Sequence, residues 1–261
     1  MDFKKFYNEQ KEYIDFRNIP LKQFEYNIIS EYKANTLTSV IPKNKSFNNI
    51  MEIGCAHGVL LNKISIKLGI KSVVGIDIAS KNIELAKSSF PDISFFCCTI
   101  EEYITSNPTN KFEIAILSDI IEHIPDEVEF LKKISGIAKT LLINLPLEKC
   151  YYYRNRVYGE SDPSGHLRNY SFNEAFHLFE KCNLRIINYR KIIDIKESKE
   201  YYNYLKKELH SKLKLKTPIK RLKSYLLSKL KHYILIYLPS LYHRLYGYNL
   251  FVYVESKNFS G

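Results

Sequence analysis

Two short stretches gather residues that could do chemistry: Ser118-Asp-Ile-Ile-Glu-His-Ile-Pro125, and further on Gly165-His-Leu-Arg-Asn-Tyr-Ser171. If the first is helical, Asp119, Glu122 and His123 stand at i, i+3 and i+4 on one face. Joined by His166, they offer two carboxylates and two imidazoles to a hard divalent cation such as Mg²⁺. Such an ion lowers the pKa of a hydroxyl bound to it. Without a metal, His123 or His166 suits the role of general base, because an unperturbed imidazole titrates at about 6.5. In the plainer alternative Glu122 and His123 only cap and pack their helix.

A second constellation points to a nucleoside. Ile50, Met51 and Ile53 read as a buried strand, which ends in a turn with glycines at 54 and 58. Residues from Val59 to Leu68 follow with helical spacing. Strand, glycine turn and helix N-terminus aim backbone N–H groups at a ligand that no side chain obstructs. About 20 residues on, a second apolar run ends in Asp77, placed to accept both hydroxyls of a ribose.

The pattern Glu52-x-Gly54-x-Ala56-x-Gly58 with Asp77 resembles the first motifs of class I S-adenosylmethionine-dependent methyltransferases. The stretch from Ser118 to His123 resembles one common in the branch that contains the ubiquinone-pathway O-methyltransferases. The resemblance implies S-adenosylmethionine as cofactor, held by Glu52, Gly54, Ala56, Gly58, Asp77, Ile78, Thr99, Ile100 and Ser118. Three positions depart from the family pattern. Ala56 stands where glycine is common, Thr99 where an acid usually holds adenine, and Asp119 where glutamate is usual.

The elements that must position these residues alternate regularly. Strands are expected at Ile93–Cys98, Phe112–Leu117 and Thr140–Leu145, with helices from Ser80 to Ser89 and from Asp126 to Ala138. A further helix, Asn173 to Cys182, is entered through Ser171, and last strands follow at 184–189 and 249–254. This alternation predicts an α/β fold with a Rossmann-like, doubly wound, seven-stranded and mostly parallel sheet. Ligands in such sheets bind at the carboxyl ends of the strands. The expected organisation is a helical lid over 1–45, split at Pro20, and a methyltransferase core over 46–194. A basic helical insertion over 195–247 and a final strand and tail over 248–261 complete it.

The loop from Leu147 to Gly165 reads as a substrate wall, with three tyrosines in succession at 151–153. Tyr152 could stack on a sugar or base, and Arg154, Arg156 and Arg168 could fork onto phosphate or carboxylate. The expected partner is an anionic small molecule, such as a nucleotide-linked or phosphorylated sugar of surface polysaccharide biosynthesis. An RNA or quinone-precursor O-methyltransferase, and a non-catalytic binding protein of the same fold, stay open.

The net charge of +11 is concentrated rather than spread. Between Ile195 and His232, 12 Lys/Arg stand against 3 Glu. Residues 218–238 form an amphipathic helix pattern with Ile219, Leu222, Leu226, Leu230, Tyr233 and Tyr237 on one face. Such a helix can lie on an anionic membrane, bind a polyanion, pair with a second copy as a homodimer, or pack its apolar side on the protein. Nucleic acid fits less well, since the interleaved aromatics of single-strand binders are missing. Five cysteines without framework or zinc spacing, and no signal-peptide pattern, suggest a cytoplasmic protein, peripheral to a membrane at most.

Overall fold

The computed structural model describes residues 3–9, 19–192 and 237–259, with Leu226, Leu227, Leu230, Tyr233 and Ile234 as isolated helical positions. Most of the basic insertion, including Ile219 and Leu222 of its apolar stripe, lies outside the described residues.

Among the described residues, helices α1 (Phe3–Glu9) and α2 (Pro20–Ser39) precede the sheet. Strand and helix then alternate through β1 (Asn49–Ile53), α3 (Val59–Leu68), β2 (Ser72–Asp77), α4 (Ser80–Ser89) and β3 (Ser94–Cys97). The series continues with α5 (Ile100–Ser106), β4 (Phe112–Ser118), α6 (Glu127–Ile137), β5 (Ala138–Leu147), α7 (Phe172–Lys181) and β6 (Leu184–Ile192). Helix α8 (Pro239–Tyr246) leads into β7 (Tyr248–Ser256). The sheet order is β3-β2-β1-β4-β5-β7-β6, parallel except where β7 runs against β5 and β6. This is the expected seven-stranded Rossmann-like α/β sheet.

Alternation along the strands sends neighbouring residues to opposite faces. Ile50 joins a core layer with Ala34 and Leu37 of α2, Leu61 and Ile64 of α3 and Ile83 of α4. Its neighbour Met51 packs on the other side with Ile100, Leu131, Ile134 and Phe179 from α5, α6 and α7. Two covered faces explain why the inner strands read as continuous apolar runs. Each Leu or Ile so buried is worth roughly 1.5–3 kcal/mol.

The helix starts follow local chemistry. Ser171 caps α7 in a reciprocal box with Glu174, and Thr99 does the same for α5 with Glu102. Asp126 accepts the Glu129 N–H at 2.9 Å to open α6.

Pro146 does not stop β5, contrary to expectation. The ladder to β4 has already ended at Ser118–Asn144, and β7 alone carries β5 on to Leu147. On that open side a proline is tolerated. Among the described residues no helix is long and apolar enough to cross a membrane.

Candidate active site

A cavity of about 980 Å³ opens at the carboxyl ends of the parallel strands, between the sheet and the N-terminal helices. All nine residues named above for the cofactor except Gly58 line it. The turn after β1 is built by local constraint. Gly54 and Gly58 have φ of +74° and +73°, and a Cβ on Gly58 would lie 2.5 Å from Phe95 Cζ. Gly54 and Cys55 both donate to Ile76 O, at 2.9 and 3.0 Å, which locks the turn against the end of β2. Ala56 sits at φ +45°, a region where its methyl group is strained.

Asp77 closes the far side of the cradle. Its carboxylate accepts the Ala56 N–H at 2.9 Å and the Ala79 N–H at 2.8 Å, so the acid is oriented while each oxygen keeps a lone pair. Burial raises its pKa, and the backbone donors act the other way. Ile78, Thr99 and Ile100 form the wall beyond it. The Thr99 hydroxyl accepts the Glu102 N–H at 3.2 Å, so its first duty is the α5 cap.

Buried charge marks the other end. Glu52 is 2% exposed, and its Oε2 has no hydrogen-bond partner among the described residues. Burial pushes its pKa well up, although the Lys33 charge opposes this. Lys33, from α2, forms an ion pair with Asp119. Asp119 is also held by Asn144 at 3.0 Å and by Ser118 at 3.0 Å. Burial works against the Asp119 charge, but Lys33 outweighs it and holds the carboxyl below its ordinary range.

The helical expectation for 119–123 needs correcting. Asp119 adopts φ +52°, and only Ile121–His123 form a short 3₁₀ turn. Asp119 therefore turns toward Lys33. The cluster with metal-ligand spacing is Glu122, His123 and His166, with ligand atoms within 4.8 Å of one another. Glu122 is 1% exposed; neither carboxylate oxygen has a hydrogen-bond partner among the described residues, and Oε1 lies 3.8 Å from His123 Nε2. Burial, then the charge of Asp119, pushes its pKa well up.

Both imidazoles are oriented from behind. His123 Nδ1 lies 2.9 Å from Gly165 O and 2.8 Å from the Tyr7 hydroxyl of α1. A carbonyl only accepts, so Nδ1 carries the proton and Nε2 keeps its lone pair. Burial, then the neighbouring His166, depresses the His123 pKa to about 4. His166 Nδ1 faces Glu148 Oε2 at 3.0 Å, which fixes the same tautomer. The two rings meet edge to face at 4.7 Å.

The loop that delivers His166 is folded around Arg156. Its guanidinium donates to both Glu148 oxygens at 2.9 and 3.0 Å and to both Asp162 oxygens at 2.8 and 2.7 Å. The Asp162 side chain is fully buried and also accepts the N–H groups of Ser164 and His166, at 2.8 and 3.3 Å. Arg156 does line the cavity, but as a clamp whose charge two carboxylates already balance. The other arginine and tyrosine positions also differ from expectation. Tyr152 is 66% exposed and stacks near Tyr153, while Arg168 bridges to Glu127 and donates to Pro125 O at 2.6 Å. Neither lines the cavity, and Arg154 lies outside it as well. Lys33, Tyr7 and Glu148, which no sequence motif singles out, do line it.

Comparison with known proteins agrees with this geometry. A family model described as "Methyltransferase domain" matches residues 24–189. A ubiquinone biosynthesis O-methyltransferase of Bradyrhizobium diazoefficiens is 33% identical over 94 residues, 34% of this chain and 35% of that one. The Pelagibacter ubique protein of the same name is 31% identical over 132 residues, 48% of this chain and 50% of that one. The chain thus spans between a third and a half of the length of these relatives. Among solved structures, an S-adenosylmethionine-dependent methyltransferase from Archaeoglobus fulgidus superposes with TM-score 0.53 at 18% identity, covering 86% of this chain and 92% of that one. A plantazolicin methyltransferase in complex with S-adenosylhomocysteine gives 0.52 at 14% identity, covering 93% and 86%. These two show the shared fold.

Proposed function

The chain belongs to the methyltransferase domain family, and on that premise we propose that it transfers a methyl group from S-adenosylmethionine to a hydroxyl of an anionic small molecule. The cavity fits the cofactor. Gly54, Cys55 and Ala56 line the cavity, so the backbone of the turn is open to the adenosyl group, and Asp77 is poised for its ribose. The unpartnered Glu52 Oε2 suits the ammonium of the methionine moiety, and Lys33 its carboxylate. When bound, the cofactor supplies an electrophilic sulfonium methyl.

The chain's own task is to position the acceptor and remove its proton. The observation that carries the O-methylation reading is the pair of imidazoles with Nδ1 tied back and Nε2 left with a lone pair. His123, held at about 4, is a weak base at neutral pH. His166, with a carboxylate behind it, is the proton acceptor, in the manner of base and orienting acid.

A second reading adds a divalent cation. Glu122 is a buried carboxyl group with no hydrogen-bond partner among the described residues and two imidazoles beside it, an arrangement whose cost a cation would offset. Glu122, His123 and His166 would hold the ion, Asp119 would not, and Glu148 and Gly165 would be the groups that orient its ligands. Bound there, it would lower the pKa of a coordinated hydroxyl.

For the acceptor we favour a phosphorylated or nucleotide-linked sugar of surface polysaccharide biosynthesis, supported by the charged side chains among the cavity's lining and by its Tyr153 wall. The relatives' name supports a quinone precursor instead. A panel of both acceptor classes with methyl-labelled cofactor, with and without chelator, separates these readings. Transfer to sugars alone supports the first, transfer to quinone precursors alone overturns it, and activity indifferent to chelator removes the cation.

The stripe positions Leu226, Leu230, Tyr233 and Tyr237 are each more than half exposed, which supports peripheral contact with an anionic membrane. Co-sedimentation with anionic vesicles at low salt is the expected result, and its absence ends the idea.

A further inference from the structure

Strand register brings the loop after β5 against α8. Leu147, the last residue of β5, pairs with Tyr248, the first of β7. The chain leaving β5 and the chain entering β7 therefore run side by side at this end of the sheet. Two hydrogen bonds fasten them, from Tyr151 N–H to Arg244 O and from Tyr152 N–H to Leu245 O, both 2.8 Å. Beside this seam is a second cavity of about 580 Å³. It shares Glu148, Tyr153 and Arg156 with the main cavity as a common wall.

Four basic side chains line the second cavity: Lys149, Arg154, Arg156 and Arg244. Two are already balanced, Arg156 by Glu148 and Asp162, and Lys149 by Glu174. Arg154 and Arg244 have no carboxylate partner among the described residues. Arg154 is also preorganised. Its guanidinium lies 3.7 Å from the centre of the Tyr151 ring, and Nη1 donates to Tyr151 O at 2.8 Å. Stacking and one hydrogen bond fix the fork and leave its remaining N–H groups for a ligand.

We propose that this second cavity is the subsite for a phosphoryl group on the methyl acceptor, gripped by Arg154 from the loop and Arg244 from α8. The acceptor's hydroxyl then reaches over the Glu148–Arg156 wall to His166. That last step rests on the O-methyltransferase reading, whereas the phosphoryl site stands on its own residues. Two guanidinium groups brought by two separate elements match a tetrahedral group with several anionic oxygens. A planar carboxylate is satisfied by a single fork.

The test uses the full chain and pyrophosphate as probe, with binding followed by calorimetry. One saturable site is expected in the wild type. Arg154→Gln and Arg244→Gln should each weaken it about tenfold, the usual scale for a charge-assisted hydrogen bond. The double variant should abolish it, while affinity for S-adenosylhomocysteine stays unchanged and reports an intact fold. Binding that the double variant retains belongs to the basic insertion and overturns the proposal, as does no saturable binding in the wild type. Malonate binding as tightly as pyrophosphate overturns the phosphoryl assignment. A wild type that does not bind S-adenosylhomocysteine would instead strike the cofactor reading, and circular dichroism of the variants then reports their fold, so the pyrophosphate result stays readable.

Discussion

Glu148 Oε2 and His166 Nδ1 stand 3.0 Å apart, and both residues line the cavity. In the proposed reaction this pair makes His166 an oriented base. Replacing Glu148 with Gln keeps the shape but removes the charge that stabilises the imidazolium. The expected effect is a fall in kcat of about 10–100-fold, on the scale of other orienting partners. KM for the cofactor should stay constant, which steady-state kinetics will show.

Arg156 holds Glu148 in place from behind, and the structure makes it a stability residue as much as a functional one. Arg156→Ala would strand the Glu148 carboxylate, 11% exposed, and the fully buried Asp162 carboxylate without their cation. Breaking a buried pair in this way costs about 3 kcal/mol or more. A lowered denaturant midpoint in urea unfolding, together with lost activity, is the expected outcome. Unchanged stability would mean that the clamp is not needed to fold the loop.

Ala56 is the strained point of the cofactor turn, at φ +45°. Glycine accepts that conformation freely, so Ala56→Gly should relieve about 1 kcal/mol. For a chain of this size that raises the melting temperature by roughly 2–4 °C. Thermal unfolding followed by circular dichroism checks the sign.

Helix α2 is tied to α3 by Glu31, which accepts from Lys67 at 2.7 Å and from Lys63 at 2.9 Å. Hydrogen bonds from Lys67, then Lys63, hold its carboxyl down at about 2, against an ordinary 4.5. The folded value lies below the unfolded one, so the contribution is complete above about 4.5 and is lost as the pH falls toward about 2. The bridge is partly exposed and screened, so the effect is modest and salt-dependent. Glu31→Gln should flatten the stability profile in that window, and S-adenosylhomocysteine should bind more weakly because α2 also carries Lys33.

Much of this was legible in the sequence where the cause is local. The turn with Gly54 and Gly58 and the strand-end Asp77 announce themselves because backbone geometry and acid lie on consecutive elements. The mostly parallel, doubly wound sheet is legible from the alternation of strands and helices for the same reason. What escaped depends on contacts between distant segments. Lys33 reads as one more lysine on a polar helix until the fold sets it against Asp119, 86 residues away. Arg156 read as a substrate fork because nothing local reveals that Asp162 is buried beside it. The i, i+3, i+4 spacing puts Asp119 on a helix face, but its left-handed backbone sends it elsewhere.

The central claim is that the cavity at the ends of β1, β2 and β4 holds an adenosyl cofactor with its sulfur toward His166. A crystal structure of the chain soaked with S-adenosylhomocysteine tests it most directly. The expected density has the ribose hydroxyls on Asp77, the amino acid portion between Glu52 and Lys33, and the sulfur facing His166. A vacant cradle in saturating ligand, or a nucleoside whose sulfur points away from the histidine pair, would contradict it.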